Sequence, residues 1–134
     1  MQIKGEINNR ERAQQQRDYS GLLLGNITPT DIDGIIEYKN KGYIILELKH
    51  GDAKLPFGQR LALERLTDDL QRSGKPTICI IASHETNNTN IDIDVANSHM
   101  QEVRFKSLWH LDSKGELVVY VVERFVKYLD KGKE

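Results

Sequence analysis

The sequence predicts an α/β fold with a mixed β-sheet. Three observations predict it: two strand-like segments at 33–39 and 43–50 set a short turn apart, a long amphipathic segment at 56–72, and a continuous apolar run at 77–82. At 134 residues the chain suits one compact core and is short for two ordinary domains, so a single domain over 1–134 is expected.

In chain order, Asn9 to Asp18 is rich in Arg, Gln and Glu and has Asn8 or Asn9 as an N-cap, which predicts a polar helix. Leu22 to Leu24 suits a short strand, ended by Thr28-Pro29-Thr30, where proline removes a donor and restricts its neighbour. Asp33–Lys39 and Tyr43–His50 carry Ile, Leu and Tyr and flank Asn40-Lys41-Gly42, the pattern of a hairpin. From Pro56 to Arg72 a helix is expected, with Ala62, Leu63, Leu66 and Leu70 on one stripe and Gly74 just past its end. Thr77–Ala82 reads as a strand buried on both faces, and the helix before it allows a crossover that sets it parallel to the strand at 43–50. The polar stretch Glu85–Asn90 reads as a loop. Strands are then expected at Ile91–Val95 and Glu102–Trp109, and Glu116–Leu129 carries Val118, Val122, Phe125, Val126 and Leu129 at helical spacing, with its valines leaving a strand start open.

Composition narrows the function classes. Apolar residues make up 38% of the chain and charged residues 29%, with no run near the roughly 20 apolar residues of a membrane span. The polar start, Met1–Arg12, lacks the apolar stretch of a secretory signal, so a cytosolic protein with no membrane partner is expected. Cys79 is alone, which excludes an internal disulfide or a multi-thiolate zinc site, and His50, His84, His99 and His110 have no zinc spacing. Around Asp31-Ile32-Asp33-Gly34 the calcium-loop pattern fails, since Pro29 and Asn40 stand at its first and twelfth positions. The net charge of −1 does not favour nucleic acid, but a local basic field from Arg10, Arg12 and Arg17 can coexist with acidic patches elsewhere.

The chemistry-bearing residues are the charges at the ends of the apolar hairpin strands. With Asn40-Lys41-Gly42 as a three-residue loop and Gly42 left-handed, Lys39 pairs with Tyr43, Asp33 faces Lys49 and Ile35 faces Glu47. Alternation then puts Asp33, Glu47 and Lys49 on one face and Ile36, Tyr38, Ile44, Leu46 and Leu48 on the other. A two-residue turn would split the set. Two carboxylates can hold Mg²⁺, which takes few protein oxygens and keeps several waters. Lys49, roughly 6 to 7 Å along the strand from Glu47, can bring an ammonium to an attacking water or to developing charge. Gln59 falls on the stripe of Ala62 and Leu63 and should point at the sheet.

An Asp entering one strand, then Glu47-Leu48-Lys49 closing the next, resembles the signature of the PD-(D/E)XK nuclease superfamily. The order of elements from Asn9 to Ala82 is similar to its restriction-endonuclease-like αβββαβ core, and Arg17 through Leu66 resembles small phage or prophage members. The resemblance implies a Mg²⁺- or Mn²⁺-dependent DNA endonuclease, with RNA open, in which Asp33 and Glu47 bind metal, the Leu48 carbonyl is a third ligand and Lys49 assists hydrolysis. Many members carry a Gln where Gln59 stands, and Glu11 is similar to an extra metal ligand of resolvase-like members, with Glu6 its competitor. Asp31 competes for the role of Asp33. The chain departs from the pattern at Ile32, where a proline is common. Arg10, Arg12, Arg17, Lys54 and Arg60 are candidate phosphate contacts. A homodimer suits an enzyme that makes two cuts. The rival reading is a nucleic-acid-binding or assembly subunit of the same fold without turnover.

Overall fold

The computed structural model describes residues 15–112 and 114–132. The chain forms two compact units, Met1–Thr30 and Asp31–Glu134. In the first, Ser20–Leu22 makes a single 3-10 turn, and Leu24 and Ile27 form one isolated antiparallel bridge about Gly25, at φ 62. The strand expected at Leu22–Leu24 does not form, because the chain reverses at Gly25 after a single bridging pair. Of the helix expected at Asn9–Asp18, residues 9–14 lie outside the described residues, and 15–18 are not helical. Asp18 instead accepts the Ser20 N–H at 2.9 Å, a local bond that competes with helix.

The second unit runs β1 (Gly34–Tyr38), β2 (Gly42–His50), α1 (Phe57–Arg72), β3 (Thr77–His84), β4 (His99–Phe105), β5 (Leu108–Leu111) and α2 (Val118–Asp130). The five strands lie in sequence order in one mixed sheet, with only β2 and β3 parallel, joined by the α1 crossover. The α/β class, the hairpin, the parallel crossover and both helices of this unit thus follow the sequence. Among the described residues no helix is long and apolar enough to cross a membrane.

The hairpin register corrects the expectation by two residues. Tyr38 pairs with Gly42 and Ile35 with Ile45, so the loop is Lys39-Asn40-Lys41. Lys39 (φ 48) and Asn40 (φ 60) take the left-handed conformation; the Lys41 N–H closes onto the Tyr38 carbonyl at 2.7 Å, and the Asn40 N–H donates to Glu37 Oε2 at 2.6 Å. Gly42 is not left-handed. It is needed for close approach, since a Cβ there would overlap the Pro76 carbonyl oxygen and the Leu129 side chain. A two-residue shift preserves which residues share a face.

Two further expectations fail beyond β3. Ile91–Val95 is irregular, because side chains satisfy the backbone locally: Asn88 accepts the Asn90 N–H at 2.9 Å, and the Ser98 hydroxyl donates to the Asp94 carbonyl at 3.0 Å. The segment Glu102–Trp109 is not one strand but the end of β4 and the start of β5. They are joined at Lys106-Ser107, both left-handed (φ 51 and 67), with Phe105 paired to Leu108.

The sheet has a core on each face. Ile44, Ile78, Ile80, Ala82 and Met100 pack on Val118, Val121, Phe125 and Leu129 of α2, with Ile36, Tyr38, Leu46 and Leu48 at the margin. On the opposite face Ile45 and Cys79 pack on Leu63 of α1, with Leu55, Leu66, Leu70 and Trp109 around them. Helix, sheet and helix therefore form three layers, and among the described residues β1 is the terminal strand of the sheet beside β2.

Candidate active site

Alternation along β2 sends Tyr43, Ile45, Glu47 and Lys49 to the α1 face. Ile45 lies in the core beneath α1, so Glu47, one step further, is carried in with it and is only 4% exposed. Continuing the register past the Gly34–Leu46 pair sets Asp33 across from Glu47, not from Lys49 as expected. Asp33 itself is exposed, at the bend where β1 begins. Its Oδ2 accepts the Leu48 N–H at 2.7 Å, so a side chain continues the ladder where the backbone of β1 has left it. In an extended strand the N–H and C=O of one residue point to the same side, so the Leu48 carbonyl also points to the edge where Asp33 lies.

Gln59, in the first turn of α1, reaches the sheet as expected, and its Nε2 donates to Glu47 Oε1 at 2.7 Å. Glu47 Oε2 is buried and has no hydrogen-bond partner. An orphaned carboxylate oxygen is costly. Burial first, and then the negative charge of Asp33, push the Glu47 carboxyl up to about 7; the Asp33 backbone and then the bond from Gln59 oppose them. The site therefore holds two close carboxylates with one buried oxygen unsatisfied, an arrangement that a hard cation would relieve. Among the described residues no three His, Cys, Asp or Glu side chains gather around one point. The donors present are two carboxylates and a backbone carbonyl, few enough for Mg²⁺, which keeps most of its waters. Glu11, the expected extra ligand, its competitor Glu6, and Arg10 and Arg12 lie outside the described residues.

Lys49 is half-buried one row further along the same face, in register with Ser83 of β3. Ser83 accepts a hydrogen bond from Gln101 Nε2 at 3.0 Å. A β-bulge, at which the β3–β4 register shifts between Ile81 and Ala82, leaves Gln101 unpaired and turns it to this face. Beyond them lies a polar cleft of about 340 Å³, lined by Asp52, Ser83, Glu85, Gln101 and Asp112 among others. A second cleft of about 330 Å³ lies by the 39–41 turn and the end of α2, and none of the expected site residues lines it.

Among the expected phosphate contacts, Arg60 is already engaged. Its guanidinium bonds both Glu102 oxygens at 2.7 and 2.8 Å, approaches Glu64 at 3.7 Å and lies 4.4 Å over the Trp109 ring. The bond from Arg60 holds the Glu102 carboxyl below its ordinary value, with the charge of Lys49 adding to the effect. Trp109 Nε1 donates to Glu64 at 2.7 Å, and Arg104 binds Asp68 through two bonds, so α1 is pinned to β4 and β5 by charge. Lys54 is exposed in the loop before α1, Arg17 is exposed in the first unit, and Asp31 is exposed ahead of β1.

Sequence reasoning missed Glu102, Ser83 and Gln101. The only signal was charge within an alternating segment, and the bulge that aims Gln101 has no mark in the sequence. Burial pushes the Cys79 thiol up to about 12, so it is no nucleophile at neutral pH. His50 bonds Asn87 at 2.8 Å and sits one step off the register of Lys49, on the other face. No protein-family model, curated protein or solved structure matches the chain.

Proposed function

We propose that this chain is a Mg²⁺- or Mn²⁺-dependent nuclease of the PD-(D/E)XK type that hydrolyses DNA phosphodiester bonds. The observation that carries the reading is Glu47. A carboxylate 4% exposed, opposite a second carboxylate and with one oxygen unsatisfied, is unstable as it stands and is suited to holding a cation. A divalent cation would supply Lewis acidity for the scissile phosphate and its attacking water.

Asp33 and Glu47 would hold that ion, with the Leu48 carbonyl on the same side. Gln59 fixes Glu47 Oε1 and so orients the free Oε2. Lys49, on the same face, would donate to the attacking water or to a non-bridging phosphate oxygen as charge accumulates there. Water oxygen bonds to phosphorus and releases a proton to solvent, the P–O bond to the leaving sugar oxygen breaks with its electron pair going to that oxygen, and a solvent proton neutralises it. Lys54 and the basic residues 10, 12 and 17 remain candidates for backbone contact, whereas Arg60 serves to seat α1 on the sheet.

The test is to incubate the purified protein with linear duplex, single-stranded and four-way-junction DNA, with Mg²⁺ or with EDTA. Cleavage that requires the metal and disappears in Glu47→Ala supports the reading. Binding without cleavage on every form supports an assembly subunit instead.

A further inference from the structure

Ser83 is only 8% exposed and lies in register with Lys49 of β2. Register partners on neighbouring strands share a face and stand about 4.8 Å apart, so the hydroxyl and the base of the lysine side chain are side by side, one row beyond Glu47. A serine hydroxyl has one proton and two lone pairs. Gln101 Nε2 takes a lone pair, donating to Ser83 Oγ at 3.0 Å, and so leaves the proton to point away from Gln101. Among the described residues no acceptor receives that proton; His99, the partner of Ser83 on β4, turns its Nδ1 to the Gly115 carbonyl at 2.8 Å instead. Lys49 likewise makes no hydrogen bond or salt bridge among the described residues. Two neighbouring donors with unspent protons thus stand on the face of Asp33 and Glu47. The bulge that brings Gln101 to this face is what orients one of them.

A nearly buried donor without an acceptor is costly, and the ligand that relieves both groups at once carries two acceptor oxygens close together. A phosphodiester does so through its two non-bridging oxygens, which serine hydroxyls and lysine ammonium groups both bind. Glu102, the carboxylate in the row of Glu47 on β4, does not compete, because Arg60 holds both its oxygens. The cleft that Ser83 lines also carries Asp52, Glu85 and Asp112, which repel further phosphates, so the two donors hold a single one. We infer that Ser83, oriented by Gln101, is a phosphate-binding residue of this site, its hydroxyl donating to one non-bridging oxygen of the phosphodiester that Lys49 engages. The inference deepens the nuclease reading and rests on it for the phosphate being the one cleaved, but the contact itself is read by binding alone.

The test measures anisotropy of short labelled oligonucleotides in EDTA, with wild type, Ser83→Ala, Ser83→Thr, Lys49→Ala and the double variant Ser83→Ala/Lys49→Ala, each checked for folding by urea unfolding. Loss of one hydrogen bond to a charged oxygen weakens binding by about tenfold to a hundredfold. We expect a loss in the lower part of that range for Ser83→Ala, binding restored in Ser83→Thr, and a double variant weakened by less than the product of the two single losses, since both groups hold one phosphate. Gln101→Met, which leaves the hydroxyl in place but no longer orients it, should lose part of the same affinity and nothing further in the Ser83→Ala background. On an oligonucleotide of methylphosphonate linkages, which lack the anionic oxygen, Ser83→Ala and wild type should bind alike. The inference is overturned if Ser83→Ala loses stability but binds as wild type does, if Ser83→Thr binds as weakly as Ser83→Ala, or if the loss persists on methylphosphonate. A wild type that binds no oligonucleotide overturns it as well. Binding that depends on Ser83, without cleavage in Mg²⁺, would remove the nuclease reading and leave the phosphate contact standing.

Discussion

Replacing Glu47 by Gln should make the protein more stable while removing its activity. In the folded chain the Glu47 carboxyl is raised from 4.5 to about 7, chiefly by burial and then by Asp33. At about 1.4 kcal/mol per pH unit, its ionised form costs the fold about 3 kcal/mol. The sign follows from proton counting. Between pH 4.5 and about 7 the folded chain holds a proton that the unfolded chain has released, so stability falls as pH rises through that window and stays low above it. Glu47→Gln keeps an oxygen for Gln59 and removes the charge. In EDTA at pH 8 it should gain up to about 3 kcal/mol in urea unfolding, or on the order of 10 °C in thermal midpoint. At pH 4.5 the gain should shrink towards nothing. Mg²⁺ should raise the midpoint of wild type and not of the variant. A variant equal to or weaker than wild type at pH 8, or an advantage that does not vary with pH, would refute the picture of Glu47 as a strained ligand.

Other substitutions separate the roles around the site. Gln59→Ala removes one of the interactions that oppose protonation of Glu47, so the pH at which Mg²⁺ begins to bind, followed by calorimetry, should move upward. Arg60→Ala should cost about 2 kcal/mol in unfolding, because it strands the part-buried Glu102, yet leave the salt dependence of DNA binding unchanged. A reduced salt slope in that variant would restore Arg60 as a phosphate contact.

The central hairpin and crossover were legible because their signals are local: apolar alternation at 33–50, the stripe of 56–72 and the β-branched run at 77–82. The shared face of Asp33, Glu47 and Lys49 survived a wrong register because the error was two residues, the strand period. That error came from assigning the left-handed position to Gly42, when Lys39 and Asn40 take it and Gly42 answers to Pro76 and Leu129, distant in sequence. The β4–β5 turn was hidden for a similar reason, since Lys106 and Ser107 adopt positive φ without a glycine or an asparagine to announce it. At the site, chain order could propose Gln59 as sheet-facing but could not show Arg60 committed to Glu102, forty-two residues on. Tertiary pairing decides which surface charges are free, and no local pattern records it.

Comparing Mg²⁺-dependent DNA cleavage and Mg²⁺ affinity in wild type, Lys49→Ala and Glu47→Ala decides whether the Asp33–Glu47–Lys49 face is a nuclease site. Lys49→Ala should lose about 10² to 10³ in rate, the cost of one electrostatic donor, while metal and DNA binding persist. Glu47→Ala should lose metal affinity and cleavage together, with DNA binding kept or improved as a negative charge leaves. A wild type that binds DNA and never cuts it, or cleavage that neither substitution alters, would contradict the account.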